Sequence, residues 1–145
     1  MSLYDSIASS YDLVFPVRPP KIAWATALAE RAATPRDETT VLDIGCATGT
    51  LALELARRGF GVTGIDLDQD MVRLAAERAR AEASGAVFEV LDMREAGRRF
   101  AGRTFDAVLC LGNTVVHLPD PGAIGAFFAA LRGILGPRGL FAVQI

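Results

Sequence analysis

From Val41 onward, short apolar runs alternate with longer stretches whose apolar residues recur every three or four positions. That alternation predicts strand–helix units and an α/β fold with a parallel sheet covered by helices. Strands are expected at about 40–44, 61–65, 86–91, 105–111 and 139–145, each rich in Val, Ile, Leu or Phe. Between Pro20 and Ala33, residues Ile22, Ala25, Leu28, Ala29 and Ala32 form one helical stripe. A second helix runs from Thr50 to Arg58 and stops at Gly59, and a third is capped by Asp68 and ends near Gly85. Asp120-Pro121 opens a fourth, with Ile124, Phe127, Phe128, Leu131 and Leu135 on its buried side and Gly136-Pro137 closing it.

A length of 145 residues predicts one domain over 1–145, with an N-terminal lid and helix over 1–38 and a core over 39–145. Hydrophobic residues make up 51%, enough for a substantial core. The net charge of -2 provides no general basic field, so a nucleic acid or other polyanion is not the expected partner. No basic segment leads into an apolar one at the N-terminus and no apolar run reaches membrane-spanning length, so the expectation is a cytoplasmic chain without a membrane partner. Cys46 and Cys110 read as reduced core thiols, with no disulfide framework and no metal site.

The chemistry begins where the first strand breaks into small residues, at Val41-Leu42-Asp43-Ile44-Gly45-Cys46-Ala47-Thr48-Gly49-Thr50. Gly45 and Gly49 permit backbone angles and close approach that a Cβ would forbid, so a flat ligand can lie against the main chain while Asp43 faces it. A dinucleotide fingerprint counted from Gly45 requires glycines where Ala47 and Thr50 stand, which argues against a nicotinamide cofactor. Asp66 ends the second strand about twenty residues after Gly45, placed to accept both hydroxyls of a ribose, with Leu67 beside it; the nearby helix-cap role goes to Asp68. Asp92 ends the third strand, where it can accept from an adenine amino group while Met93 offers an amide and a soft wall. An isolated Asp after a strand usually marks a solvated turn, but three such acids on successive strands point to one crevice.

The Asp-x-Gly-x-x-x-Gly turn with its strand-end acids resembles the first motif of class I S-adenosylmethionine (SAM)-dependent methyltransferases, with Ala47 in place of the commoner second glycine. That resemblance implies SAM as cofactor and a Rossmann-like, doubly wound parallel sheet in the order 3-2-1-4-5. The family continues with a sixth and seventh strand. Gly139 to Ile145 stops without cap, turn or polar tail, so the chain is expected to cover about two-thirds of that domain and to leave a fifth-strand edge open to a second copy.

Cys110-Leu111-Gly112-Asn113-Thr114-Val115-Val116-His117-Leu118 resembles the Leu-Gly-Asn-Ser…His-Leu segment of glycine N-methyltransferase and its relatives. The resemblance implies Leu111 and Gly112 beside the methionyl group, Asn113 at a substrate carboxylate and His117 near the methyl-donor end. For His117 a second reading, a polar residue that holds the loop, stands alongside. Tyr4 to Asp12 resembles the Tyr-Asp…Tyr-Asp leader of small-molecule methyltransferases, with Tyr11 as lid. For the cation at the SAM carboxylate, Arg18 is favoured over Lys21 because a guanidinium binds a carboxylate bidentately.

The expected function is methyl transfer to a small amine, in which the protein mainly aligns the reactants. The alternatives are a small-molecule O-methyltransferase, with His117 as its base, and a SAM-binding fragment without turnover.

Overall fold

A computed structural model describes residues 10–33 and 38–145. Residues 4–9 of the leader lie outside the described residues. Residues 10–14 are helical, and α1 (Pro19–Ala32) follows. Its two prolines occupy the first turn, where a missing N–H costs no helical bond. The chain continues through β1 (Thr40–Ile44), α2 (Thr50–Ala56), β2 (Gly61–Asp66), α3 (Gln69–Glu82) and β3 (Val87–Val90). A 3-10 turn at Met93–Glu95, α4 (Ala96–Arg99), β4 (Phe105–Cys110), a 3-10 turn at Val115–His117, α5 (Pro121–Arg132) and β5 (Leu135–Val143) complete it.

The five strands form one parallel sheet in the order β3-β2-β1-β4-β5, as expected. Alternation along β1 sends its side chains to two layers. Leu42 and Ile44 join Val108 and Cys110 under α4 and α5, whereas Val41 joins Ala107 and Leu109 under α1 and α2. Ala25, Ala29 and Ala32 are fully buried, so the small side chains of α1 bring that helix close to the sheet. Asp43 shares the parity of Val41 and therefore points to the layer that α1 covers.

At the amino ends of the strands, Asp106 Oδ2 accepts from Thr40 N at 2.9 Å and Thr40 Oγ1 at 3.0 Å, which fixes β1 against β4. At the carboxyl ends, Gly45 N and Cys46 N both donate to the Ile65 carbonyl, at 2.8 and 3.0 Å. The glycine turn is thus stitched to β2 before α2 begins.

Two expectations are corrected. Leu135 and Gly136-Pro137 do not belong to the last helix: α5 stops at Arg132 and these residues open β5. Phe105 pairs with Leu135 and Ala107 with Leu140, so the intervening residues of β5 form a bulge. Such an edge-strand irregularity accommodates Pro137, which has no N–H to donate, and it blunts the edge against pairing. Phe128 is 38% exposed rather than on the buried side, its ring 5.4 Å from Phe141. Among the described residues no helix is long and apolar enough to cross a membrane.

Gly49 shows how packing enforces the turn. Its φ is +78°, and a Cβ there would stand 2.8 Å from Ala75 Cβ and 2.9 Å from Phe88 Cζ. Gly59 has φ +90° but open space around it. Gly49→Ala should therefore cost about 3 kcal/mol, from strain plus overpacking, and Gly59→Ala about 1 kcal/mol, from strain alone. Urea denaturation reads both, and equal losses would remove the packing account of Gly49.

Candidate functional site

A cavity of about 690 Å³ opens at the carboxyl ends of the strands. All the expected site residues except Arg18 and Gly49 line it. Its floor is the turn after β1. Gly45 has φ +75°, and a Cβ there would fall 2.4 Å from Thr114 Oγ1, which itself donates to the Leu111 carbonyl at 3.0 Å. Glycine is thus required by the close approach of the loop after β4. Ala47 is left-handed at φ +46°, a conformation that costs a residue with a Cβ about 1 kcal/mol. Its N–H donates to Asp66 Oδ2 at 2.8 Å, while Asp66 Oδ1 accepts from Asp68 N at 3.0 Å. Asp66 is therefore both a cavity group and the clamp on two turns. Gly49 lies behind the floor, packed on α3.

The other acids differ sharply in environment. Asp43 is 3% exposed, and among the described residues none donates a hydrogen bond to it. Burial pushes its carboxyl up to about 7, against the pull of the Lys21 ammonium and with the push of Asp66. Asp92 is held below the ordinary carboxylate range by Arg94, whose side chain grips it at 2.5 to 3.0 Å and whose backbone N–H it accepts at 2.9 Å. It caps the 3-10 turn at Met93–Glu95 as well as facing the cavity. Leu67 is 71% exposed at the rim, and Leu91 and Met93 form an apolar wall.

The leader crosses the cavity with Tyr11 and Phe15, whose ring centroids are 5.1 Å apart. Burial raises the Tyr11 phenol, and the carboxylates of Asp66 and Asp12 add to that rise. Arg18 is exposed, precedes the first turn of α1 in extended conformation and does not line the cavity; Lys21, one turn along, is on its wall. Across the site, Leu111 is buried while Gly112 and Asn113 are exposed and left-handed, at φ +81° and +61°. His117 is exposed on its 3-10 turn and lines the same cavity. Burial pushes the Cys46 thiol up and that of Cys110 to about 12, consistent with unreactive core thiols.

Several site residues escaped sequence reasoning. Thr114 sets the floor by its contact with Gly45, and Gln144 accepts from Gly112 N at 3.3 Å. Asp12 joins Thr48, Thr50 and Arg78. The place of Asp12 beside Tyr11 in the leader was the only local signal for it; Arg78 carries none.

Chemically, the cavity offers a buried acid with a cation beside it, further carboxylates at the ends of β2 and β3, and apolar faces between them. It suits a ligand with a zwitterionic end, a hydroxylated middle and a flat apolar group. Among the described residues no cluster of His, Cys, Asp or Glu could hold a metal.

A family profile described as "Methyltransferase domain" matches residues 41–139. The glycine N-methyltransferase of Rattus norvegicus is 36% identical over 86 residues, covering 55% of this chain and 29% of that protein. The ubiquinone biosynthesis O-methyltransferase of Xanthomonas axonopodis pv. citri (strain 306) is 35% identical over 99 residues, 68% of this chain and 39% of that protein. The solved structure of the CcbJ methyltransferase from Streptomyces caelestis superimposes with a TM-score of 0.80 at 26% identity, over 98% of this chain and 57% of that one. The chain spans about half or less of the length of the curated relatives it matches.

The environment of Asp43 sets a pH dependence. Its folded-state pKa near 7 lies above the ordinary 3.8, so the fold holds this proton more tightly than the unfolded chain does. The stability it contributes is complete below about pH 4, is lost as pH rises to about 7 and is absent above that. Asp43→Asn should match wild type at pH 4 and exceed it at pH 8 by a few kcal/mol, on the order of the shift times 1.36 kcal/mol per unit. Denaturant titrations of both proteins across that range read the difference, and parallel curves would refute the account of this carboxyl.

Proposed function

The chain belongs to the family of methyltransferase domains, and from that premise we propose that it transfers a methyl group from SAM to a small-molecule acceptor, an amine. The observation that carries the reading is the buried Asp43 in the field of the Lys21 ammonium, both on the wall of the cavity that Asp66 also lines. An ammonium on the ligand would satisfy Asp43, and a carboxylate would take Lys21, in the role first assigned to Arg18. Each Asp66 oxygen already holds one backbone N–H and keeps a lone pair for a ribose hydroxyl. Asp92 and Met93 would take the adenine, with Leu67 over its face. A pyrophosphate would instead meet Asp12, Asp43 and Asp66, which all line the cavity around the turn, and this disfavours a dinucleotide. The cavity volume suits a single small-molecule cofactor.

When bound, SAM supplies a methyl group on a sulfonium, open to attack by a neutral nucleophile. The chain's own residues then bind, orient and exclude water. Tyr11 and Phe15 would close over the methionyl end, and the Leu111-Gly112 backbone would line it. Asn113 would donate its amide to an acceptor carboxylate. The likeness of the Leu111–Asn113 loop to glycine N-methyltransferase supports an amine, whose deprotonated nitrogen needs no base. A hydroxyl acceptor would require one, and His117 is at the rim.

Calorimetric titration should show binding of SAM and S-adenosylhomocysteine and none of NAD. Lys21→Met should weaken SAM about tenfold and leave 5′-methylthioadenosine, which lacks the amino-acid end, unaffected; Asp66→Ala should weaken both by roughly 2 kcal/mol. Equal effects of Lys21→Met on the two ligands would remove the assignment of that lysine. His117→Ala should lower turnover modestly with an amine acceptor. A loss of about 10² to 10⁴ in kcat/KM would identify a hydroxyl acceptor instead.

A further inference from the structure

Among the described residues, the leader's hold on the body of the protein is concentrated at Asp12. Leu13, Val14 and Phe15 are 83, 66 and 61% exposed, so apolar burial does little to anchor residues 10–15. Asp12 instead uses both carboxylate oxygens. Oδ1 accepts from Thr48 Oγ1 at 2.6 Å and Thr50 Oγ1 at 3.0 Å, and Oδ2 accepts from Arg78 Nη1 at 2.7 Å. Arg78 also donates to the Thr48 carbonyl at 3.2 Å, so α3, the glycine turn and the leader meet in one knot. Burial opposes ionisation of Asp12, but the hydrogen bonds from Thr48, Arg78 and Thr50 outweigh it and lower its pKa.

Thr48 is 1% exposed and stands between Ala47 at φ +46° and Gly49 at φ +78°. Asp12, itself on the cavity wall, therefore braces the left-handed turn beside its neighbour Tyr11, which lines the same cavity. An isolated surface ion pair contributes little. A carboxylate with three side-chain donors on two separate elements is different, because its loss frees the turn and the lid together.

We infer that Asp12, through Arg78, is a positioning residue that locks the Tyr11–Phe15 lid to the cofactor turn and so sets how long the cofactor stays bound. The inference rests on the SAM-binding reading above. Cofactor leaving the cavity has to pass the lid, so loosening the pin raises the dissociation rate more than it lowers the association rate. Because Arg78 acts on the lid through Asp12, removing Arg78 should loosen the lid, removing Asp12 should release it, and removing both should add little to the loss of Asp12.

Stopped-flow dissociation of SAM from the full chain tests this, with Asp12→Ala, Arg78→Ala, the double variant and Asp12→Asn, each checked for thermal unfolding. Dissociation should be about tenfold faster in Asp12→Ala, less accelerated in Arg78→Ala, which leaves the threonine donors on Asp12, and no faster in the double variant than in Asp12→Ala, on the loss of charge-assisted hydrogen bonds. Asp12→Asn, which keeps an acceptor for the threonines but loses the charge, should be intermediate and supplies the reading if Asp12→Ala does not fold. Bound SAM should also protect the Lys21–Ile22 peptide bond from trypsin in wild type and not in the variants. Wild type that fails to bind SAM overturns the functional reading and this inference with it. Wild type that binds, with variants of unchanged dissociation rate or with additive effects in the double variant, overturns the inference alone.

Discussion

The site depends on the carboxylate of Asp66, which accepts the N–H of Ala47 with one oxygen and that of Asp68 with the other. The first bond holds a left-handed alanine that would otherwise relax, and with it the floor of the cavity. The second sets the turn that places Asp68 to cap α3 through Asp70 N and Met71 N. One side chain thus ties the two crossovers on either side of β2, and the parallel register of β1 with β2 is what brings them within reach. A single acid can brace a turn and still present lone pairs to a ligand because carboxylate oxygens accept more than one donor each.

The comparison of Asp43 with Asp106 shows what the site costs the fold. Both are nearly fully buried on adjacent strands. Asp106, at the amino end of the sheet, accepts a backbone N–H and a hydroxyl from Thr40 and locks β1 to β4. Asp43, at the carboxyl end, has no such donor among the described residues and faces the ammonium of Lys21 and the carboxylate of Asp66. A buried carboxyl without partners is a liability for stability and a resource for binding, since a ligand ammonium would meet an acceptor whose desolvation is already complete. The same physical quantity, burial, therefore has opposite uses at the two ends of one sheet.

Much of this was legible in the sequence because it is local. Each strand run and the Asp68 cap is set within a few residues, Asp43, Gly45, Asp66 and Asp92 stand at or just after the ends of such runs, and parallel connectivity then orders the sheet. The end of α5 was misread because Leu135 continues the helical stripe, whereas pairing with Phe105 draws it into β5. The short α4 was missed because four residues cannot display a helical period. Lys21 was passed over for Arg18 on an argument about guanidinium chemistry, which is sound but blind to direction: Val17 and Lys21 line the cavity, and Arg18 between them does not. Asp12 and Arg78, 66 residues apart, leave no periodic trace at all.

The parts of the cavity divide by rigidity, and that division bears on how one scaffold serves different acceptors. Asp43, Ile44 and Ile65 are buried at strand ends, and the turn above them is fixed by backbone hydrogen bonds. Phe15, Asn113 and His117 are exposed on the leader and on the loop after β4, where the left-handed Asn113 already departs from relaxed backbone. Discrimination between acceptors is a difference of free energies, so it has to come from groups that touch the acceptor and not the shared cofactor. In the proposed arrangement those are the rim residues. Substitution there can change the acceptor at small cost to the sheet, whereas substitution at the floor changes the fold and the cofactor site together.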